Sequence, residues 1–229
     1  SNNNLSFGGT QVFAQETDVV QAIAAYSASH LDPHGVISGE LTLAFSPGGL
    51  SAGDHTRAYT AARALARPDY AYARLELERR TKLPAGFMWI ARGTAQLATA
   101  NLLGSEQLGL GGAGSPRGYE EREANGDDGF VLVNELHGPP FSVIGKPAGG
   151  TARDVFDPLV FVDYGRVQSH QRLPAEPAHL ELASVGLGFR YQLAAALSAR
   201  CDYGWQLEDS GVSDGRRNNR AHISVTLGY

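Results

Sequence analysis

The sequence predicts an all-β protein with antiparallel strands, and three observations lead to that fold class. Apolar and polar residues alternate with a period of two along most of the chain, as they do in strands with one apolar face. Glycine accounts for 28 of the 229 residues, well above the usual share of about 7%, and this surplus suits turns and crowded strands. No apolar run reaches the roughly 18 residues that a transmembrane helix needs. The alternation alone fits a membrane β-barrel and a soluble β-sheet protein about equally.

The alternation divides the chain into ten predicted strands. They cover residues 5–13, 18–30, 36–46, 69–81, 87–99, 129–138, 158–167, 182–193, 196–207 and 222–229. In the fourth strand, for example, Leu75 and Leu77 fall on one face and Glu76 falls on the other. The apolar faces carry small residues between aromatic residues at the strand ends, which suits contact with lipid better than a soluble core that needs bulk.

The joints between these strands are short on one side and long on the other. Short turns occur near 32–35, 82–86 and 193–196, whereas long polar loops occupy 47–68, 100–128, 168–181 and 208–221. Short turns at one rim and long loops at the opposite rim are typical of outer-membrane barrels. Two joints depart from this pattern, because the joint near 14–17 is short and the joint 139–157 is long on the short-turn side. The loop lengths therefore favour the membrane barrel.

The chain ends on a predicted strand whose last residue is Tyr229. A final strand with apolar residues at two-residue steps and a terminal aromatic resembles the sorting signal of outer-membrane barrels. This resemblance implies that the outer-membrane assembly machinery is a partner and that Tyr229 belongs to the sorting signal.

The most informative local feature is a glycine-rich run, 109–119, which contains Arg117, Gly118 and Tyr119. Its five glycines permit unusual backbone angles, so the loop can fold into a narrow space. The guanidinium of Arg117 carries a permanent charge and five donors, and it needs a carboxylate or several carbonyls if it leaves bulk water. A candidate partner, Asp163, lies between Phe161 and Gly165 in a later strand.

An Arg-Gly-aromatic loop followed by a Phe-x-Asp-x-Gly strand resembles the outer-membrane translocators of two-partner secretion, also called haemolysin secretion/activation proteins. The resemblance covers residues 70–229 well and the first 69 less clearly. It implies that Arg117 contacts Asp163 on the inner wall of a barrel, a pair that we call the latch. It also implies that four neighbours shape this contact: Gly118, Tyr119, Phe161 and Gly165. Pro116 stands where the family usually has valine, which restricts the path of the loop.

The same resemblance implies a function. Residues 1–229 are expected to form an outer-membrane β-barrel translocator domain of a Gram-negative bacterium that exports an unfolded exoprotein partner. Outer-membrane lipid is a further expected partner; no enzymatic activity, cofactor or metal is expected, and the net charge of −5 argues against a nucleic-acid partner. Family members have a plug helix, two POTRA domains and a sixteen-strand barrel. The chain is therefore expected to be the C-terminal part of such a barrel, without the POTRA domains and first strands, or else a smaller complete barrel.

Two alternative functions stay open. The barrel could serve a fused passenger, such as a patatin-like lipase, or the chain could be a soluble β-sheet binding module. The acidic stretch around Asp127 and Asp128 is expected to be a solvated loop, with weak cation binding as the lesser alternative.

Overall fold

The computed structural model describes residues 2–7, 10–145, 154–211 and 218–228, with side chains from residue 17 onward. Within these ranges the chain forms the following strands, in order: β1 (Asn2–Phe7), β2 (Thr10–Glu16), β3 (Ala22–Asp32), β4 (Gly35–Pro47), β5 (Asp69–Lys82), β6 (Met88–Ala98), β7 (Leu108–Leu110), β8 (Ala124–Gly126), β9 (Asp128–His137), β10 (Asp154–Gln168), β11 (Leu180–Leu193), β12 (Leu197–Gln206) and β13 (Asn219–Leu227). One short α-helix, α1 (Thr56–Ala62), lies between β4 and β5, and a single 3-10 turn spans Pro84–Gly86. In the described part of the chain, no helix has the length and apolar character required to cross a bilayer.

Nine of these strands form one antiparallel sheet, in the order β13-β12-β11-β10-β9-β6-β5-β4-β3. Neighbours in the sheet follow one another along the chain, except that β7 and β8 pair with each other in the long loop between β6 and β9. The edges of the sheet are β3 and β13, and no pairing joins them within the described residues. The predicted strand 5–13 is wrong, because β1 and β2 pair as a separate hairpin. The adjacent glycines of the sequence, Gly8 and Gly9, disfavour one continuous strand there.

The pairing register gives the sheet two chemically different faces. Asp163 lies opposite Ser184 on one side and Val133 on the other, so these three side chains share a face. We call this the polar face; following the register across the sheet adds Ser38, Glu40, Arg74, Glu76, Glu78, Arg92, Gln96, Glu135, Arg190, Arg200, Asp202 and His222 to it. The opposite side, the apolar face, presents large uncovered side chains such as Val162, 55% exposed, and Leu187, 54% exposed. No second sheet packs on the apolar face within the described ranges, which contradicts a two-layer sandwich.

The long loops at one rim supply the packing that a single sheet lacks. One cluster packs Leu110 and Tyr119 of the β6–β9 loop against Val131, Val133 and Leu182 of the polar face. A second cluster joins α1 to the rim of β5 and to the start of the β6–β9 loop, and its buried members include Tyr59, Tyr70, Tyr72, Leu102 and Leu103. The β6–β9 loop therefore takes part in both clusters and covers the polar face of β9 to β12.

Candidate functional site

The glycine-rich loop between β7 and β8 follows a path that several side chains would block. Gly111 and Gly118 have positive φ angles of 99° and 97°, which favour glycine. A Cβ at Gly111 would lie 2.2 Å from the backbone oxygen of Glu120. On the sheet below, a Cβ at Gly165 would lie 2.8 Å from Leu110 and 3.2 Å from Pro116. These glycines therefore let the loop lie directly on β10.

Arg117 is the centre of the site, and its side chain is only 1% exposed. Its Nε donates to Oδ2 of Asp163 at 2.7 Å and its Nη2 donates to Oδ1 at 2.8 Å, so the pair is bidentate. The backbone N–H of Arg117 donates to Oδ2 of the same carboxylate at 3.2 Å. Its remaining terminal nitrogen, Nη1, donates to Oε1 of Glu135 at 2.5 Å. Charge-assisted bidentate pairs of this kind fix both distance and orientation.

An aromatic ring completes the surroundings of this guanidinium. The Cζ atom of Arg117 lies 3.5 Å from the centroid of the Phe161 ring, within the range of a cation–π contact. The ring occupies space left by Gly186 on the next strand, where a Cβ would lie 2.1 Å from Cζ of Phe161. The glycine, the ring and the guanidinium therefore form a stack on the polar face.

Gly118 and Tyr119 extend the contact to β11 and β12. A Cβ at Gly204 would lie 2.7 Å from the backbone nitrogen of Gly118, so the loop backbone and β12 are in direct contact. The hydroxyl of the fully buried Tyr119 lies 2.7 Å from the carbonyl oxygens of both Ala183 and Glu208, and can donate to one of them at a time. These contacts tie the glycine-rich loop to the first residues of β11 and to the loop after β12.

Further charged residues of the polar face surround the latch. Asp202, which is fully buried, accepts from Nη1 of Arg190 at 2.8 Å and from Nε of Arg200 at 2.6 Å. Arg92 lies 3.1 Å from Glu135. The alternation of the sequence places these residues on the polar face, but it gives no sign of which of them meet. Sequence reasoning therefore missed this network of ion pairs. The period-two pattern was the available signal, and it showed only that these residues share a face.

His137 links the network to the short-turn rim. Its Nδ1 lies 2.8 Å from Oδ2 of Asp157, and its Nε2 lies 3.2 Å from Oε2 of Glu135. Glu135 thus contacts His137 through one oxygen and Arg117 through the other. The chain of contacts runs from the rim to the latch without a gap.

Two opposing effects set the proton affinity of the loop arginine. Burial alone would lower the pKa of Arg117, but the hydrogen bond with Asp163 and the negative charges of Asp163, Glu135 and Asp202 together outweigh burial and raise the pKa above its ordinary value. Burial also raises the pKa of the Tyr119 hydroxyl, which therefore stays protonated and able to donate. The guanidinium of Arg117 consequently keeps its positive charge at every physiological pH.

A second buried pair, away from the latch, contradicts the expectation of a solvated acidic loop. Asp127 is 0% exposed and forms a bidentate pair with Arg63, through Nη1 to Oδ1 at 2.6 Å and Nη2 to Oδ2 at 3.0 Å. Its carboxylate also accepts from three other donors, which are the backbone N–H groups of Leu102 and His170 and the side-chain amide of Gln107. We call this group the Asp127 cluster. It joins the three long loops between β4 and β5, β6 and β9, and β10 and β11.

The structure thus brings Arg117 and Asp163 into contact, with Gly118, Tyr119, Phe161 and Gly165 around them. Their role in transport stays a prediction. Tyr229 lies outside the described residues. Among the residues that the structure describes, no group of three or more His, Cys, Asp or Glu side chains is placed to hold a metal ion.

Comparisons with known proteins agree on one relationship. The family model described as haemolysin secretion/activation protein ShlB/FhaC/HecB matches residues 1–191. The outer membrane transporter CdiB of Escherichia coli O6:K15:H31 (strain 536 / UPEC) is 36% identical over 99 residues, which make up 43% of this chain and 16% of that protein. A second CdiB from Escherichia coli is 35% identical over 99 residues, with the same coverage.

A solved structure shows the fold. The structure of CdiB from Escherichia coli matches with a TM-score of 0.64 and 19% identity, over 89% of this chain and 36% of that chain. The fold class is therefore the expected antiparallel β-barrel, of which the nine-stranded sheet is one part. The chain spans 16% of the curated relatives and 36% of the solved chain that it matches.

Proposed function

The chain belongs to the haemolysin secretion/activation (ShlB/FhaC/HecB) family, and on that premise we propose that it forms part of an outer-membrane pore that passes an unfolded exoprotein to the cell surface. In this proposal the apolar face contacts outer-membrane lipid and the polar face lines a hydrated bore. The exoprotein and the outer-membrane assembly machinery are its protein partners. The outer-membrane names of the CdiB relatives support the location.

The observation that carries the proposal is the buried position of Arg117 on the polar face. A glycine-rich loop left in solvent would be mobile, whereas this loop is held by a bidentate ion pair, a second carboxylate and an aromatic ring. The latch therefore fixes how much of the bore the loop fills. We propose that this placement keeps the pore competent for translocation and that the latch takes part in no chemical step.

The other half of the polar face offers a surface along which a polypeptide can move. On β3 to β6 it carries hydroxyls and charges, including Ser27, Ser38, Glu40 and Glu76, which line a groove that contains no residue of the glycine-rich loop. Of these residues, Glu76 also borders that loop at Gly109 and Ser115. Such a wet surface forms exchangeable hydrogen bonds with an extended backbone and offers no apolar pocket to arrest it. This open half is the proposed path of the exported chain.

Removal of the latch arginine tests the proposal. The full-length gene would be expressed with its exoprotein, and the exoprotein in the medium would be compared for the natural protein and Arg117→Ala. We expect secretion to fall sharply while barrel insertion, followed by heat-modifiable migration on gels, is kept. Arg220→Ala is the matched control, because Arg220 pairs with Glu120 of the same loop at an exposed position. Undiminished secretion by Arg117→Ala would remove the proposed role.

A further inference from the structure

The joint between β9 and β10 differs from the other joints at its rim. Its neighbours are tight: β3 and β4 are separated by two residues, and β11 and β12 by three. The segment after β9 instead continues from Gly138 through Gly145 before the described chain resumes at Asp154. We call residues 138–145 the rim segment. The proposed pore function does not explain why this joint is longer than its neighbours.

The rim segment is apolar and largely uncovered. Phe141 is 53% exposed, Val143 is 62% exposed and Ile144 is 63% exposed. The sequence of the segment, GPPFSVIG, contains no charged residue. Three large exposed apolar side chains within four residues are costly in water, and such patches mark contact surfaces.

Most backbone N–H groups of residues 141–145 already have hydrogen-bond acceptors within the protein. The N–H of Phe141 donates to the carbonyl oxygen of Phe156 at 2.9 Å. The N–H groups of Val143 and Ile144 donate to Oδ2 of Asp154, at 2.8 Å and 3.2 Å, and this carboxylate is buried at 1% exposure. The N–H of Gly145 donates to the hydroxyl of Ser142 at 3.0 Å. Because these four N–H groups are already paired within the protein, they lose no hydrogen bond to water when the segment enters an apolar medium.

Aromatic stacking places the rim segment beside the apolar face. The ring of Phe141 lies 5.2 Å from the ring of Phe156, which in turn lies 5.2 Å from the ring of Phe189. The register puts Phe156 and Phe189 on the apolar face, together with Val160 and Leu187. The segment therefore continues the surface that faces lipid, at its rim, where aromatic side chains favour the boundary between headgroups and acyl chains.

From these observations we infer that the rim segment is a lipid anchor, in which Phe141, Val143 and Ile144 enter the acyl–headgroup boundary of the leaflet at the short-turn rim. The inference rests on the proposed outer-membrane location. It accounts for the length of this joint, because a two-residue turn could not carry three apolar side chains beyond the end of the sheet. An exposed carboxylate at this tip would oppose insertion, whereas the buried Asp154 supports the turn from within.

Site-directed fluorescence in vesicles tests the anchor. In the complete protein, Trp89, Trp205 and every tryptophan outside this chain would be replaced by phenylalanine, and one tryptophan would be introduced as Ile144→Trp. The protein would be reconstituted into three kinds of phosphatidylcholine vesicle: without bromine, with bromine near the headgroup end of the acyl chains to probe Ile144→Trp, and with bromine near mid-chain to probe Val160→Trp. We expect Ile144→Trp to lose most of its emission in the brominated vesicles, because bromine quenches only at contact.

Two reporters make the outcome decisive. Val160→Trp lies on the apolar face and should be quenched, whereas Leu173→Trp, in the long loop at the opposite rim, should keep its emission. If Val160→Trp is quenched and Ile144→Trp is not, the anchor is overturned while the membrane location stands. Shielding of Ile144→Trp from both bromine and aqueous acrylamide would also overturn it, since a protein partner would then cover the segment. If Val160→Trp is itself unquenched, the proposed membrane location falls as well.

Discussion

Two of the bidentate arginine–aspartate pairs, Arg117–Asp163 and Arg63–Asp127, contain a fully buried aspartate, and they differ in what surrounds the pair. In the latch both side chains are buried, at 1% and 0% exposure, and the arginine is the central group. In the Asp127 cluster the arginine is 22% exposed and the aspartate is central, with three further donors around it. The first pair joins a loop to the face of the sheet, and the second joins loops to one another.

This difference decides what each pair controls. A buried arginine among carboxylates cannot be exchanged for water, so the latch holds the loop in one position or releases it entirely. A buried aspartate that accepts from backbone N–H groups fixes the shape of the loops around it, and loss of Arg63 leaves it partly satisfied. We therefore expect the latch to set the position of the glycine-rich loop in the pore. We expect the Asp127 cluster to set the shape of the three long loops that it joins, which we call the cap.

The largest effect is expected when each arginine is replaced by methionine. Arg117→Met leaves Asp163 buried without its cation, while Glu135 keeps Arg92, and this should cost about 3–5 kcal/mol of unfolding free energy. Arg63→Met should cost about 1–2 kcal/mol, because Asp127 keeps its other donors and Arg63 is partly solvated. Urea titration in detergent, followed by the heat-modifiable gel shift, measures both. Equal costs would show that the two pairs are energetically alike and would break the comparison.

A smaller effect is expected from Asp127→Ala. It removes the shared acceptor of Arg63, Leu102, Gln107 and His170 at once, which should cost about 2–3 kcal/mol and loosen three loops. Hydrogen exchange should speed up at the amides of Leu102 and His170. The glycine-rich loop should keep its protection, because Arg117 does not contact Asp127; loss of protection there would show that the two pairs act as one.

Gly186→Ala disturbs the latch from beneath. The added Cβ would meet the ring of Phe161, which supports Arg117, and we expect a cost of about 1–3 kcal/mol from the forced repacking. Gly93→Ala is the matched control in the same sheet, because its Cβ would be 3.4 Å from the nearest atom, a side-chain carbon of Leu132. Limited proteolysis should cut the glycine-rich loop faster in Gly186→Ala only. Equal cleavage in both variants would show that the ring of Phe161 does not help to hold the latch.

The smallest effect is expected from Tyr119→Phe, which removes one hydroxyl and keeps the ring. The carbonyls of Ala183 and Glu208 then lose a donor, at a cost of about 1 kcal/mol. The same urea titration measures this difference, with Tyr203→Phe on the apolar face as control. A cost as large as that of Arg117→Met would mean that Tyr119, and not Arg117, chiefly holds the loop.

The sequence predicts the sheet well because its period is simple. The predicted strand 69–81 corresponds to β5 and the predicted strand 182–193 to β11, with small differences at the ends. The predicted strand 18–30 starts too early, since β3 begins at Ala22. The residues before it turn toward the cap, where Asp18 accepts from the hydroxyl of Ser51. Alternation reports a strand, but it does not report where tertiary contacts end it.

The site is less predictable, because its contacts join residues that are far apart along the chain. The family motif placed Arg117 opposite Asp163, but nothing in the sequence pointed to the contact between Arg117 and Glu135. Asp127 stands among other acidic residues and was therefore expected in solvent. Its burial depends on Arg63, which lies 64 residues away in the sequence, and no local pattern reveals such a pair.

The strand order of the main sheet has a consequence for how the protein assembles. Because each strand pairs with the preceding one, the sheet can grow as a meander, one hairpin at a time, with no strand waiting for a distant partner. Arg117 precedes Asp163 by 46 residues, so its carboxylate partner arrives only when β10 docks on β9. Pairing of β10 with β9 would therefore fix Arg117 and its loop on the sheet while the sheet is still growing, before β11, β12 and β13 pair.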